Sequence, residues 1–252
     1  MNPIIRRLQL SLALAKAEFK ERNEGSYLGV LWYLLNPLLL FLLLLLVFAD
    51  RVGNRIPDYP LYLLTGIIMF NFFQRATIDS TKVIREHRYL IKSVNFPRQA
   101  LVGSIVLRTL YSHLFEILLL AVFLFIFQGA FVGIVFYPFI LLFFYAFIFG
   151  TSLILASLTI YIMDIEHVWA FAARLIWLGT PIFYAIAGQT RLAFVSRFNP
   201  MYYYITIARD VMVYGQMPQA WMVFGAVGYG IVFLAAGLMT FKNLKTRFAE
   251  LV

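Results

Sequence analysis

Two long stretches without a charged residue constrain this chain more than any other feature of its sequence. Residues 38–49 are all leucine, phenylalanine, valine or alanine, and residues 129–163 contain no lysine, arginine, aspartate or glutamate. Only 13% of the 252 residues are charged, whereas soluble domains carry roughly a quarter. One bilayer crossing takes about 20 apolar residues, so we expect the chain to span a membrane several times.

Six membrane-spanning α-helices are predicted between residues 27 and 241. Their apolar stretches are residues 27–49, 60–73, 103–127, 131–163, 168–186 and 221–241, the second continuing as an amphipathic helix to residue 84. Asn36-Pro37 and Pro138 are expected to start helices, and Gly179-Thr180-Pro181 is expected to break one. No polar stretch is long enough for a second core, so residues 1–252 are predicted to form a single all-α transmembrane domain.

Two segments are too polar to span. Residues 1–25 place Leu8, Leu12 and Ala15 on one helical face, which predicts an amphipathic helix lying at the membrane interface. Residues 188–220 precede the last crossing, and residues 202–214 within them are predicted to form a short re-entrant or interfacial helix.

Lysine and arginine are distributed unequally between the two sides of this arrangement. Fifteen lie in three segments, residues 1–36, 74–108 and 242–252, against five on the opposite side. The positive-inside rule places these three segments in the cytoplasm, and an even number of crossings agrees. Both termini are therefore predicted to be cytoplasmic. The net charge of +9 marks orientation in such a chain, so it gives little support to a nucleic-acid partner.

Residue patterns typical of an enzyme are missing from the sequence. It has no cysteine and no phosphate-binding G-x-x-x-x-G-K-[ST] loop. Its three histidines lie in different segments, and Asp164 and Glu166 are two residues apart, which would not place them on one helical face. We therefore predict no catalytic residue, no metal site and no cofactor on this chain.

Charges inside the apolar stretches are costly and are therefore candidates for function. Arg108 lies near the cytoplasmic end of its helix, where its side chain is expected to reach the headgroups. Glu116 and Arg174 lie deeper, and they either pair across helices or face a polar conduit.

Tyrosines gather on the predicted outer side of the membrane. Flat rings that carry a hydroxyl stack on sugar faces, although an interfacial aromatic girdle explains the same composition. The tentative substrate path comprises Trp32, Tyr59, Tyr62, Glu116, Arg174, Tyr202, Tyr203 and Tyr204.

The stretch 82–98 is basic but has an apolar, helix-forming centre that includes Leu90 and Ile91, and it ends at Pro97-Arg98. A plain loop needs charge but no apolar centre. The stretch is therefore predicted to dock a soluble partner, with contact to anionic lipids as the alternative.

Three stretches in order carry a family resemblance. They are Phe19-Lys20-Glu21-Arg22 with Ser26-Tyr27-Leu28-Gly29-Val30-Leu31-Trp32 and Asn36-Pro37-Leu38; Leu90-Ile91-Lys92-Ser93-Val94-Asn95-Phe96-Pro97-Arg98; and Asp164 with Thr180-Pro181-Ile182-Phe183-Tyr184, Phe198-Asn199-Pro200-Met201 and residues 205–209. Together they resemble the membrane subunits of type-2 ABC exporters for O-antigen, capsule and teichoic acid polysaccharides. Where that family often has a basic residue before the aspartate, this chain has Ile162 and Met163.

The resemblance implies a homodimer in the bacterial inner membrane, bound to two separate ATPase subunits that hold ATP and magnesium. It implies export of a lipid-linked polysaccharide through a channel between the protomers, with periplasmic gate helices in residues 188–220. Residues 83–92 would form a cytoplasmic coupling helix, and residues 164–167 a second contact with the ATPase. The coupling residues so implied are Arg85, Glu86, His87, Arg88, Leu90, Ile91, Asp164, Glu166 and His167.

A secondary transporter of a small amphiphilic substrate is the main alternative, and an embedded glycosyltransferase and a non-transporting scaffold are two others. Secondary transporters favour internal repeats and buried acids on broken helices. Here the two halves show no clear repeat, and Glu116 is the only deep acid.

Overall fold

The computed structural model describes residues 3–24, 27–89, 97–186 and 190–244, and this part of the chain is helical without any strand. Its helices are α1 (Pro3–Asn23), α2 (Trp32–Val52), α3 (Tyr59–Glu86), α4 (Gln99–Ile126), α5 (Tyr137–Tyr161), α6 (Ile165–Gly179), α7 (Thr190–Arg197), α8 (Pro200–Met212) and α9 (Ala220–Leu244). Short 3₁₀ turns cover Gly29–Leu31, Gly53–Arg55 and Phe131–Phe136.

Five helical segments of the described chain are long and apolar enough to cross a bilayer. They are Gly29–Val52, Tyr59–Glu86, Gln99–Ile126, Gly133–Tyr161 and Ala220–Leu244. The predicted fifth crossing is different, because α6 has only 15 residues and is therefore about 22 Å long, less than the ~30 Å hydrocarbon core. The all-α membrane architecture is thus confirmed, and the sixth crossing stays a prediction.

The prolines lie where most of the predictions put them. Pro60 and Pro138 occupy the first turns of α3 and α5, and α6 ends at the predicted break before Thr180-Pro181. The prediction that Asn36-Pro37 starts a helix is wrong. A 3₁₀ turn leads directly into α2 at Trp32, so Pro37 lies inside the helix and only its bond to the carbonyl of Tyr33 is lost.

The central helix of the fold is α3. Every residue from Leu61 to Phe70 is buried, and a helix that is apolar all round belongs in the interior of a bundle. It contacts α2, α4, α5, α6 and α8. The larger apolar cluster around it includes Phe41 of α2, Leu120 of α4, Phe144 of α5 and Tyr204 of α8, and a smaller one contains Val83 and Ile84 of α3 itself.

The predicted amphipathic helix α1 packs along α4, and its position at the membrane interface stays a prediction. The hydroxyl of Ser11 donates to the carbonyl of Ala100 at 3.2 Å, and Ala15 is completely buried. Phe19 stacks on Tyr33 of α2 with ring centroids 5.6 Å apart. The face of α1 that carries Ser11 and Ala15 is therefore covered by protein, whereas Leu8 and Leu12 of the predicted apolar face are exposed.

Glycines let α5 and α9 touch backbone to backbone. A Cβ atom on Gly237 would lie 2.4 Å from the carbonyl oxygen of Gly150, and one on Gly150 would lie 2.2 Å from the carbonyl oxygen of Phe233. Small residues at such contacts provide the close packing that joins helices in a bilayer.

Replacement of Gly237 by valine should force α5 and α9 apart, whereas the same change at Gly228 of α9 should not, because a Cβ there meets no atom within 4 Å. Overpacking of this kind costs about 1–3 kcal/mol. We expect the apparent unfolding midpoint of the purified protein to fall by several degrees in G237V and to stay near wild type in G228V. Equal midpoints would show that the contact does not hold the two helices together.

Candidate functional site

The first candidate site lies at the basic end of the fold, where α3 and α5 end and α6 begins. Glu166 of α6 accepts hydrogen bonds from two residues of α3: Lys82, at 3.1 Å, and Arg85. Desolvation raises the pKa of Glu166, but the hydrogen bonds and positive charges of Lys82 and Arg85 outweigh it and hold the pKa below its ordinary value. The carboxylate therefore stays ionised, and it joins the two segments that the sequence predicted as coupling contacts.

The other predicted coupling residues present a charged, accessible surface around this link. Arg85, Glu86, Arg88, Asp164 and His167 are exposed, and His87 is half-buried. Leu90 and Ile91, the predicted apolar centre of the coupling helix, lie outside the described residues. Their assignment to the coupling helix stays a prediction.

A second cluster of charges joins α1, α3 and α4 beside the first. Arg108 of α4 donates to Glu18 of α1 at 3.1 Å and to Asp79 of α3 at 2.7 Å. Glu18 also accepts from Ser104 at 3.2 Å and lies 3.6 Å from His87. The side chain of Arg108 is only 15% exposed and is held between the two carboxylates. Its predicted reach to the headgroups stays a prediction.

These charges line a cleft of about 480 Å³ that also contains Glu21, Lys82 and Glu86. The sequence interpretation missed Glu18 and Asp79. A signal for Glu18 was present, because it follows Ser11 and Ala15 on the face of α1 that packs against α4.

A third polar cluster lies deep between α3, α4 and α5. Glu116 is 1% exposed and accepts from Arg75 at 2.9 Å. His113, stacked on Phe72, lies 3.4 Å from Glu116 through Nδ1 and contacts the hydroxyl of Tyr137 through Nε2. Pairing with Arg75 lowers the cost of burying the carboxylate.

The hypothesis that Glu116 pairs with Arg174 is therefore wrong. The deep acid finds its cation on α3, one helix away, while Arg174 is exposed on α6. No feature of the sequence favoured Arg75 as the partner, because that residue lies in the amphipathic half of α3 predicted to leave the membrane.

The segment after α6, residues 180–186, is the broken end of that helix, and side chains of α3 and α8 hold it. It lies where α3 begins and α8 packs, at what we call the tyrosine end of the fold. Arg209 of α8 is 3% exposed and donates to the carbonyls of Tyr62, Pro181 and Ile182 at 3.0, 2.7 and 3.0 Å. Its guanidinium carbon lies 3.3 Å from the centre of the Tyr62 ring. The sequence analysis included Arg209 among the outer charges and in the family resemblance, but it missed this role.

Two tyrosines of α3 complete the same anchor. The hydroxyl of Tyr62 donates to the carbonyls of Pro181 and Tyr184, at 3.1 and 2.8 Å, and that of Tyr59 to Phe183 at 3.0 Å. Four successive carbonyls, from residue 181 to residue 184, thus accept hydrogen bonds from side chains. A Cβ on Gly66 would lie 2.6 Å from Arg209, so the glycine makes room for the guanidinium.

The predicted path tyrosines are mostly inside the protomer. Tyr59, Tyr62, Tyr203 and Tyr204 are buried. The hydroxyl of Tyr203 donates to the carbonyl of Arg197, and that of Tyr204 to the carbonyls of Phe143 and Ala226. Tyr202 is half-buried and Trp32 is 43% exposed. Their role in a substrate path stays a prediction.

A small cleft at the tyrosine end, of about 170 Å³, combines aromatic rings with polar groups. It is lined by Tyr62, Pro181, Ala185, Ile186, Tyr202, Thr206, Arg209, Asp210 and Tyr214. Rings, a carboxylate and hydroxyls in one cleft suit the apolar faces and hydroxyl edges of a sugar.

Comparison with known proteins identifies the family to which this chain belongs. The profile of the family described as ABC-2 type transporter matches residues 9–213, from within α1 to the end of α8. The chain is 26% identical over 250 residues to the O-antigen export system permease protein RfbA of Myxococcus xanthus, covering 96% of this chain and 94% of that protein. It is 27% identical over 248 residues to the protein of the same name from Klebsiella pneumoniae, covering 96% and 95%. The chain belongs to the ABC-2 type transporter family.

Proposed function

We propose that this chain is the membrane subunit of an ABC exporter that carries a lipid-linked, O-antigen-like polysaccharide across the bacterial inner membrane. The observation that carries the proposal is the similarity to two O-antigen export permeases over nearly the whole length of each chain. The sequence has no phosphate-binding loop of its own, so ATP and magnesium would bind to separate ATPase subunits, two for each homodimer.

The basic end of the fold is the proposed docking surface for the ATPase. Exposed charges of Arg85, Glu86 and Asp164 surround the bond between Glu166 and α3. A partner that pushes on the segment after α3 would move α6 as well, because the Glu166 link joins the two. Closure of the ATPase would thereby reach the helices of the membrane domain.

The sixth crossing is proposed to consist of α6 and the segment that follows it. Residues 180–186 contain no regular helix, and extended chain adds up to about 3.3 Å per residue. Together with the length of α6 this exceeds the ~30 Å hydrocarbon core. Six crossings would put both termini on the same side of the membrane, and the distribution of lysine and arginine makes that side the cytoplasm.

The substrate path is proposed to pass the cleft that contains Tyr202. This cleft offers ring faces and the carboxylate of Asp210 at the end of the molecule opposite the docking surface. Tyr203 and Tyr204 are buried, so their replacement would test folding, whereas Tyr202 keeps part of its ring accessible.

Affinity purification of the tagged chain from membranes of its native bacterium should bring down a protein that hydrolyses ATP in the presence of magnesium.

Replacement of Glu166 by lysine would set a positive charge against Lys82 and Arg85, and we expect it to lower polymer-dependent ATP hydrolysis at least fivefold. The control is D50N, which removes an exposed acid at the other end. A complex without ATPase activity would contradict the proposed function, whereas unchanged coupling in E166K would contradict only the role of this link.

Replacement of Glu18 by glutamine should loosen α1 from α4, because Arg108 would keep one carboxylate and its buried Nε already has no partner. The loss is expected to be about 1–3 kcal/mol for this partly exposed pair, measured as a lower apparent unfolding midpoint. Glu21 lines the same cleft one turn further on and is the matched control. A midpoint in E18Q equal to that in E21Q would show that the cluster does not hold α1.

Replacement of Tyr202 by alanine should reduce the rate of polymer export about three- to tenfold, the effect of losing about 1 kcal/mol of ring stacking. Replacement by phenylalanine keeps the ring and should retain most of the rate. The measurement is export in reconstituted vesicles, with complex assembly as the control. Equal rates for Y202A and wild type would remove this residue from the path.

A further inference from the structure

An apolar cavity of about 440 Å³ lies between α5, α8 and α9, apart from the sites described above. Its volume falls in the range of roughly 300–1,000 Å³ that is usual for small-molecule sites. Its walls include Phe139 and Phe143 of α5, Ile207 and Val211 of α8, and Val223 and Ala226 of α9.

The mouth of the cavity is continuous with the surface that faces lipid. Both α5 and α9 belong to candidate membrane spans. Phe139 on the wall is 69% exposed, and Phe224, next to the wall residue Val223, is 76% exposed. On a spanning helix such side chains lie against hydrocarbon, so the molecules that reach this mouth are lipids.

Among the residues that the structure describes, the lining carries no charged side chain that would recognise a phosphate, and Gln216 is its only amide side chain. The hydroxyl of Tyr204 already donates to the carbonyls of Phe143 and Ala226, at 3.2 and 2.7 Å. Because a diphosphate-linked carrier would need cations for its headgroup, the chemistry favours the bare hydrocarbon chain of an ordinary lipid.

At the end further from the tyrosines, the cavity is closed by the contact between α5 and α9. A Cβ on Gly230 would lie 2.8 Å from the carbonyl oxygen of Phe143, and the contact continues to Gly150 and Gly237. At the other end the exposed segment around Met217 marks the exit from the bundle, since this side chain is 91% exposed. The shape is a blind slot that runs from the tyrosine end into the membrane.

We propose that this slot binds one acyl chain of a bilayer phospholipid, with the headgroup near Gln216 and Met217. Dry apolar cavities of this kind take up apolar molecules readily. The bound chain completes the packing of α8 against α5 and α9. Since α8 also carries Arg209, the lipid supports the helix that anchors the broken end of α6.

The test uses the full chain reconstituted in phosphatidylethanolamine–phosphatidylglycerol vesicles that contain a phospholipid with a diazirine near the end of one acyl chain. Val223 lines the slot and is 38% exposed, whereas Val232 on the same helix is 61% exposed and does not line it. After illumination, mass spectrometry should find label on Phe139, Phe143 and Ala226 in wild type and V232W. In V223W this label should fall at least fivefold, with label elsewhere unchanged.

A second variant, A226L, should lower the same label while its unfolding midpoint stays within a few degrees of wild type, which separates a filled slot from a misfolded chain. Equal label in V223W, V232W and wild type would overturn the proposal. Displacement of the phospholipid label by a polyprenyl diphosphate, but not by added phospholipid, would also overturn it and assign the slot to a lipid carrier. None of these measurements depends on export, so they stand apart from the proposed function.

Discussion

The anchoring of the broken end of α6 is the interaction on which the arrangement of this fold depends. A chain inside a bilayer can leave the helical conformation only where other groups satisfy the freed backbone carbonyls. On the proposed sixth crossing, Arg209, Tyr62 and Tyr59 supply the donors for the carbonyls of residues 181–184. Because an arginine has five N–H donors and no acceptor, one buried side chain of α8 holds α3 and the break together.

In the described part of the chain, the two largely buried charges of α4 each have an oppositely charged partner on another helix, whereas buried Arg209 of α8 is bonded to backbone carbonyls. Glu116 of α4 is paired with Arg75 of α3, and Arg108 of α4 with Glu18 and Asp79. Breaking such a pair leaves an uncompensated charge and costs more than the pair itself contributes. The pairs therefore fix which faces of α1, α3 and α4 meet, while the apolar core supplies most of the packing.

The sequence predicted what local chemistry determines. Apolar length identified the five long helices, and Pro60 and Pro138 marked helix starts because proline fits the first turn. It could not predict partners that tertiary packing brings together: Arg209 and Tyr62 are 147 residues apart, and Arg75 and Glu116 are 41 apart. The tyrosines show the same limit. Their positions in the sequence predicted that they lie together at one end, but only the packing shows that most of their hydroxyls donate to backbone carbonyls.

This use of the hydroxyls constrains any path through the tyrosine end. The hydroxyls of Tyr59 and Tyr62 are bonded to the segment after α6, so a passing sugar would meet ring faces, that of Tyr202 among them, and would find its hydrogen bonds at Thr206 and Asp210 of α8. The residues that would contact the polymer thus lie on the helix that carries Arg209. On the proposed function, opening of this end therefore requires α3, α8 and the anchored segment 181–184 to move as one body, because separating the segment from both helices would leave four carbonyls unpaired in the membrane.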